Sequence, residues 1–148
     1  MQNPPEGYSR VNPYLYYEDA AAAIDFITRA FGAKERFRMD GPDGKVGHAE
    51  VDFDGEVVML GSPPEAKSPK ALGAKTGSLY IYVDDVDAHC AQAREAGATV
   101  VREPEDVFYG DRMYGVEDPE GHEWYFGQRV RDVSAEEMAA AMEGAATA

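Results

Sequence analysis

The sequence predicts a single α+β domain built from two tandem copies of one β-α-β-β-β unit. Three pairs of segments match at nearly one shift along the chain: 12–16 with 78–82 and 55–61 with 121–127 at 66 positions, and 31–33 with 96–98 at 65. A shift shared by separate segments is typical of an internal repeat. The alternative is two unrelated strand–helix passages of similar composition.

Module one is predicted over residues 11–61. Residues 11–17 alternate and are rich in tyrosine, which favours a strand. Asp19 is placed to cap a helix whose apolar side chains recur at helical spacing, and Gly32 is placed to end it. Further strands are predicted at 34–39, 46–53 and 56–60, separated by turn residues.

Module two, residues 78–130, repeats this order. A strand is predicted at 78–83, Asp85 is placed to cap the second helix, and Gly97 is placed to end it. Three strands follow in the pattern, at 99–102, 111–117 and 122–127, with a Pro and Gly turn before the last.

Two segments lie outside the modules. Residues 62–77 are rich in proline, glycine and lysine, and we expect an exposed, mobile linker. In the tail, residues 131–148, Ser134 begins a capping box with Glu137 and predicts a short helix that Gly144 ends. This helix either docks on the domain or frays.

Composition limits the classes of partner. The formal net charge of −14 argues against nucleic acid and against an anionic membrane surface, and it is compatible with a cationic ligand or simply with solubility. We find no apolar run of about 18 residues and no secretory leader. Cys90 is the only cysteine, so no disulfide forms within the chain. Together these features favour the cytosol.

The repeated modules, the helix motif at 24–32 and the motif from Tyr109 to Trp124 resemble the glyoxalase/bleomycin-resistance/extradiol dioxygenase (vicinal-oxygen-chelate) superfamily, and within it the bleomycin-resistance-like branch. The resemblance covers about residues 11–130. It implies that each module bends its sheet into a cup, that the cups line a cleft, and that the protein is a homodimer.

In metal-dependent members of that superfamily, four side chains on the first and fourth strands of the modules hold a divalent ion. Those positions correspond here to Asn12, Met59, Ser78 and Tyr125. Asn12 is a weak ligand for a divalent ion and the other three are poor ones. We therefore expect neither a metal nor any other cofactor, which weakens the case for glyoxalase or dioxygenase activity.

Side-chain alternation predicts the lining of the cleft. If Asn12 faces the cleft, the tyrosines at alternating positions of the first strands share its face. The expected ligand-binding residues are Asn12, Tyr14, Tyr16, His48, Met59, Ser78, Tyr80, Tyr82, Glu123 and Tyr125. Tyrosine rings suit stacking with an aromatic compound or contact with a cation. The alternative is that the tyrosines only fill an interface between modules or subunits.

Several polar residues invite a catalytic or metal interpretation. His48, Glu50 and Asp52 share one strand face, but neighbours on a face lie about 7 Å apart, so a solvated or cleft-edge polar face is favoured over a metal site. We expect His122 to begin a strand. We expect His89 and Cys90 to serve packing, with no basic neighbour for the thiol.

Three functions stay open at this point. The favoured one is a metal-free binding protein for a small aromatic or cationic organic compound. The second is a metal-dependent lyase, isomerase or dioxygenase with displaced ligands, which needs His48, Glu50, His122 or Glu123 to converge. The third is a metal-free enzyme that uses a tyrosine or His48 as acid or base.

Overall fold

The computed structural model describes residues 1–147, and it shows two modules with the same order of elements. Module one consists of β1 (Tyr14–Tyr16), α1 (Ala20–Phe31), β2 (Lys34–Asp40), β3 (Val46–Phe53) and β4 (Glu56–Gly61). A short helix, α2 (Pro69–Leu72), lies between the modules. Module two consists of β5 (Ser78–Tyr82), α3 (Val86–Glu95), β6 (Thr99–Asp106), β7 (Asp111–Glu117) and β8 (Glu123–Arg129), and α4 (Ala135–Thr147) follows.

Each module forms a four-stranded mixed sheet with identical topology. The strand orders are β1-β4-β3-β2 and β5-β8-β7-β6. In each sheet the first strand is parallel to the last, and the remaining pairs are antiparallel. The α+β fold of two repeated units is therefore confirmed.

Local signals define the helix ends as expected. The Asp19 carboxylate accepts a hydrogen bond from the Ala22 amide at 3.1 Å, and Asp85 accepts one from Ala88 at 3.0 Å. Gly32 takes the left-handed conformation at φ 74°, which residues with a Cβ adopt only at a cost.

The first strand is shorter than predicted. It begins at Tyr14, so Asn12 lies before it rather than on it. Pro13 has no N–H to contribute to a ladder, and the Asn12 amide nitrogen instead donates to the Ser9 carbonyl at 2.6 Å.

A single apolar core joins the modules through α1 and α3. The Phe31 ring of α1 lies 5.2 Å from the Trp124 ring and 4.9 Å from the Phe126 ring, both on β8. A polar link lies beside this core, where the Tyr17 hydroxyl donates to Asp118 at 2.5 Å and the Trp124 indole donates to the same carboxylate oxygen at 3.1 Å. Leu60, Trp124 and Phe126, which alternate along β4 and β8 with the side chains of the open faces, are fully buried.

The connecting segment is buried at some residues and exposed at others. Ser62 and Ser68 are buried, and the Ser62 hydroxyl accepts a hydrogen bond from Ala20 at 2.8 Å. The Ser68 hydroxyl caps α2, whose first residue, Pro69, has the backbone angle that a helix start requires. The expectation of an exposed segment is therefore wrong for Ser62 and Ser68, whereas residues 70–77 are exposed.

The tail also differs from the prediction at one end. Ser134 caps α4 by accepting a hydrogen bond from the Glu137 amide at 3.1 Å, as expected. The helix nevertheless continues through Gly144 to Thr147. One interior glycine costs only about 1 kcal/mol, and alanine-rich flanks favour continuation. Within residues 1–147, no helix combines the length and the apolar character that crossing a bilayer requires.

Candidate functional site

The open face of the first sheet carries a row of aligned side chains. In the strand register, Tyr14 lies beside Met59, Met59 beside Glu50, and Glu50 beside Phe37. The Tyr14 ring extends across β4 and passes over Gly61. A Cβ at Gly61 would lie 2.8 Å from the tyrosine hydroxyl, so a residue with a side chain would obstruct the ring. The glycine thus lets Tyr14 reach side chains of β3.

A hydrogen-bonded chain runs from this tyrosine into the sheet. The Tyr14 hydroxyl lies 3.0 Å from His48 Nδ1, and His48 Nε2 lies 3.1 Å from Glu50 Oε1. The Tyr8 hydroxyl donates to both oxygens of Glu50, at 3.0 and 2.8 Å, and the Arg36 guanidinium lies 3.7 Å from Glu50 Oε2. Of the two expected alternatives, a solvated face or a polar face at the edge of the cleft, the first is wrong for Glu50, whose side chain is 6% exposed.

The environment favours the neutral form of both tyrosines. Burial, followed by the nearby Tyr16, raises the pKa of Tyr14. The hydrogen bond to Glu50 is the main cause of a raised pKa at Tyr8. Both hydroxyls therefore keep their protons at neutral pH and act as donors.

The open face of the second sheet has a different anchor. The hydroxyls of Tyr80 and Tyr82 both donate to Asp111 Oδ2, at 2.9 and 2.8 Å, and Arg129 lies 3.1 Å from the other oxygen. Gly127 lies under Tyr80 as Gly61 lies under Tyr14, since a Cβ there would lie 2.6 Å from Tyr80 Cε1. The rings stay exposed while their hydroxyls are fixed below.

Charge and hydrogen bonding set the titration of this second cluster. Burial alone would raise the pKa of Asp111, but hydrogen bonds from Tyr82, Tyr80 and Arg129 together lower it. Burial is also the main cause of the strongly raised pKa of Tyr80. The cluster is thus an ionised carboxylate that holds neutral phenols in place.

A third group lies at the start of β8. The Tyr125 hydroxyl donates to Glu123 at 2.5 Å, and Lys75 from the connecting segment pairs with both Glu117 and Glu123. The hydrogen bond from Tyr125, followed by that from Lys75, lowers the pKa of Glu123. Glu123 is therefore ionised, but part of its charge is already matched by the lysine.

Two grooves contain six of the ten expected binding residues. Tyr14, Tyr16, Ser78 and Glu123 line one groove of about 380 Å³, together with the segment 72–77. Tyr80 and Tyr82 line another of about 480 Å³, against residues from both modules. The structure thus brings six of the ten expected residues to two separate grooves, and Asn12, His48, Met59 and Tyr125 line neither of them.

The family model of the Glyoxalase/Bleomycin resistance protein/Dioxygenase superfamily matches residues 9–126 of the chain. The chain belongs to this superfamily. Rv0887c of Mycobacterium tuberculosis is 44% identical over 138 residues, which cover 89% of this chain and 81% of that protein. Lactoylglutathione lyase of Neisseria meningitidis serogroup B is 30% identical over 112 residues, covering 72% and 80%.

Solved structures of other proteins share the fold. TioX from Micromonospora sp. ML1 has a TM-score of 0.67 and 32% identity, covering 82% of this chain and 99% of TioX. TnmS3, an antibiotic binding protein from Streptomyces sp. CB03234, has a TM-score of 0.63 and 24% identity, covering 82% and 96%. The second likeness concerns the fold alone.

The metal-ligand positions of the superfamily hold a donor set that does not fit a divalent ion. Met59 offers only a thioether, Ser78 and Tyr125 offer neutral hydroxyls, and Asn12 turns its amide nitrogen to Ser9. Within residues 1–147, no three His, Cys, Asp or Glu side chains are placed to hold an ion together.

His48 and Glu50 do not replace this set. Both nitrogens of the imidazole are within hydrogen-bond distance of protein oxygens, and Tyr8 donates to both oxygens of the carboxylate. A metal ion bound to Glu50 would also lie near the positive charge of Arg36.

The other singled-out residues have structural partners. His89 bridges the Tyr114 hydroxyl, at 2.6 Å, and the Phe31 carbonyl, at 2.9 Å, and burial is the main cause of its lowered pKa. His122 lies 2.8 Å from the Tyr16 carbonyl. Cys90 is buried as expected, but Arg94 lies 3.9 Å from its sulfur, so the expectation of no basic neighbour is wrong.

Sequence reasoning missed three residues that shape the open faces, namely Tyr8, Arg36 and Asp111. Tyr8 lies before the predicted module and contacts a carboxylate 42 positions away. Arg36 lies where the pairing of β2 with β3 is interrupted, so strand alternation does not place it. One signal could have pointed to Asp111. It opens a strand two positions before Met113, which is buried, and residues two apart on a strand share a face.

Proposed function

We propose that this protein binds a small aromatic compound, preferably a cationic one, on the tyrosine-bearing faces of its two sheets and without a metal ion. The observation that carries the proposal is that the rings of Tyr80 and Tyr82 are exposed while both hydroxyls are fixed on one buried carboxylate. Side chains held in this way lose little further freedom when a ligand binds, which favours affinity.

The chemistry of the faces supports an aromatic ligand. Tyr16 and Tyr82 are 57% and 62% exposed, and each lies about 5.5 Å from a second tyrosine ring on its strand. A planar ligand can stack on such rings, and each aromatic pair contributes about 0.5–1.5 kcal/mol beyond the area it buries. The faces of the rings and the net charge of −14 both attract a cation.

The relatives support the choice of first ligands. TnmS3 is named as an antibiotic binding protein and shares this fold. Planar aromatic antibiotics are therefore the class to test first, with simpler aromatic cations as probes.

A homodimer is part of the proposal. Phe37 and Met39 expose apolar surface on β2, the edge strand of the first sheet, and a second copy packed along this strand would shield that surface from water. Light scattering after size exclusion tests this assembly. A mass of about 32 kDa agrees with it, since one chain is 16.2 kDa, and a mass of one chain at all concentrations contradicts it.

The binding experiment compares three probes by calorimetry. Proflavine is a planar aromatic cation, choline is an aliphatic cation, and naphthalene sulfonate is an aromatic anion. We expect saturable binding in the order proflavine, naphthalene sulfonate, choline. Replacing Tyr16 or Tyr82 with alanine should weaken proflavine binding about twofold to tenfold, the equivalent of one stacking contact.

A control variant separates stacking from a general loss of exposed apolar surface. Met142 lies on α4 and is 58% exposed, so Met142→Ala should leave the affinity for proflavine unchanged. The proposal fails if no probe binds saturably, or if Met142→Ala and Tyr82→Ala weaken binding equally.

The second candidate is a metal-dependent lyase, and the observation that favours it is the 30% identity to lactoylglutathione lyase. Purification without chelator followed by elemental analysis tests it. Stoichiometric nickel or zinc would favour the lyase, whereas a metal-free protein whose melting temperature ignores added nickel and zinc favours the binding protein.

A further inference from the structure

The two modules place equivalent tyrosines over equivalent glycines but give them different hydrogen-bond partners. The Tyr14 hydroxyl meets a histidine nitrogen at 3.0 Å, whereas the Tyr80 hydroxyl meets a carboxylate oxygen at 2.9 Å. Both tyrosines are 40% exposed. The chain therefore contains one tyrosine beside an imidazole nitrogen and, in the same position of the repeat, one beside a carboxylate.

Hydrogen bonding favours one tautomer of the imidazole. Both oxygens of Glu50 accept from the Tyr8 hydroxyl and one faces the Arg36 guanidinium, so the carboxylate is the acceptor toward His48. His48 Nε2 must then carry the hydrogen toward Glu50, which leaves Nδ1 as the acceptor for the Tyr14 hydroxyl. The result is a hydroxyl–imidazole–carboxylate chain whose donors all point toward the carboxylate.

We propose that Tyr14 is a nucleophile that accepts the acyl group of aromatic esters, with His48 as its general base and Glu50 as the residue that positions the imidazole and stabilises the imidazolium that forms. The inference rests on the proposed function in one respect, that the aromatic part of the ester lies on the tyrosine-bearing face. The recurring logic is that of an activated nucleophile, with a base in reach and a third group orienting the base.

The step balances in atoms and electrons. Tyr14 Oη forms a bond to the carbonyl carbon while its proton passes to His48 Nδ1. The tetrahedral intermediate then collapses, the bond between that carbon and the aryl oxygen breaks, and the aryloxide leaves with the electron pair. The proton on His48 passes to the aryloxide, so the products are O-acyl-Tyr14 and a phenol.

The surroundings of the chain suit an aromatic leaving group. The Tyr16 ring lies 5.6 Å from the Tyr14 ring, and the Phe37 ring lies 6.0 Å from the imidazole. Tyr16 and Phe37 are both substantially exposed and can contact the aryl ring of an ester. Because burial raises the pKa of Tyr14, its phenol needs a base to react at neutral pH.

The test measures acetylation by p-nitrophenyl acetate at each tyrosine with peptide mass spectrometry. In the wild-type protein we expect acetyl transfer to Tyr14 to be at least about tenfold faster than to Tyr80, its internal reference. His48→Gln keeps a hydrogen-bonding group of similar reach but no base, and it should slow Tyr14 by about 10²-fold, the lower end of what general bases contribute. Glu50→Gln should slow Tyr14 while the rate at Tyr80 is unchanged.

Each outcome decides the inference. Equal acetylation of Tyr14 and Tyr80 in the wild-type protein, or a Tyr14 rate that His48→Gln does not lower, overturns it. The comparison of Tyr14 with Tyr80 uses only the wild-type protein, so it remains valid even if a substitution prevents folding. Thermal melts of each variant would show whether it folds. If proflavine binds and Tyr14 is not preferred, only this inference fails. If Tyr14 is preferred in a His48-dependent manner while proflavine does not bind, the proposed function fails and this inference stands.

Discussion

Replacing Tyr17 with phenylalanine should weaken the contact between the modules measurably. The Tyr17 ring is 1% exposed and belongs to module one, whereas its acceptor, Asp118, belongs to module two. The substitution keeps the buried ring and removes only the hydroxyl, so the lost interaction is one hydrogen bond to a charged acceptor, about 1.5–3 kcal/mol.

The partners of Asp118 narrow this range. Its carboxylate still accepts from the Trp124 indole and from the amides of Glu120 and His122, so the substitution does not leave a buried charge unpaired. The free energy of unfolding should therefore fall by about 1.5–2 kcal/mol, at the lower end of the range. For a domain of this size, the melting temperature should fall by roughly 3–8 °C.

Urea unfolding followed by circular dichroism and by tryptophan fluorescence measures the effect. Trp124 is the only tryptophan and donates to the same carboxylate oxygen, so its emission reports on this contact. The midpoint should fall with an unchanged slope. Tyr16→Phe, at an exposed tyrosine on the same segment, is the control and should change stability by less than about 0.5 kcal/mol. If both variants lose the same free energy, the buried hydrogen bond contributes nothing and the reasoning is wrong.

The same group gives a pH dependence. Burial, followed by the charge of Asp118, raises the pKa of Tyr17 well above its usual value. The unfolded chain releases this proton near pH 10 and the folded chain retains it, so the stabilisation is complete below about pH 10 and falls as the pH rises beyond it. Tyr17→Phe should lose less stability between pH 9 and pH 11 than the wild-type protein does, which urea midpoints at both values would show.

Three further outcomes follow from particular contacts. Gly127→Ala should displace the Tyr80 ring and lower stability by about 1–3 kcal/mol, as overpacking does, whereas Gly77→Ala meets no atom within 4 Å and should be neutral in the same urea titration. The pKa of Asp111 is lowered in the folded chain, so the ionised carboxylate stabilises the fold at neutral pH and this stabilisation is lost below about pH 4. In Asp111→Asn, the free energy of unfolding should therefore fall less steeply at acidic pH than in the wild-type protein. An equal fall in both proteins contradicts this assignment. Cys90 is buried and burial raises the pKa of its thiol, so a disulfide reagent should react with it only as fast as the protein opens, and rapid labelling of the native protein would contradict its burial.

The repeat, the helix ends and the core-facing side chains could be predicted because their signals are local. Asp19 caps a helix through an amide three residues away, and Gly32 ends it through its own backbone angle. Strand alternation likewise places Leu60 and Trp124 in the core from their neighbours alone. Even Arg94 beside Cys90 was within reach of such reasoning, since residues four apart share a helix face.

The polar anchors of the open faces could not be predicted in this way. Tyr8 reaches Glu50 across 42 positions, and Tyr80 reaches Asp111 across 31. Such contacts depend on how far a side chain leans over its neighbouring strands, which periodicity does not describe. The absence of a metal, the ligand and the dimer stay predictions that the experiments above address.

The pairing of a tyrosine with an underlying glycine occurs once in each half of the chain, at Tyr14 over Gly61 and at Tyr80 over Gly127. The two halves share this arrangement of ring and glycine but differ in the group that the tyrosine hydroxyl meets. Here the partner of the first tyrosine is an imidazole and that of the second a carboxylate. A ligand that contacts both faces would therefore meet an imidazole beside one tyrosine and a carboxylate beside the other. An asymmetric ligand would bind in the orientation that places each of its ends against the complementary group.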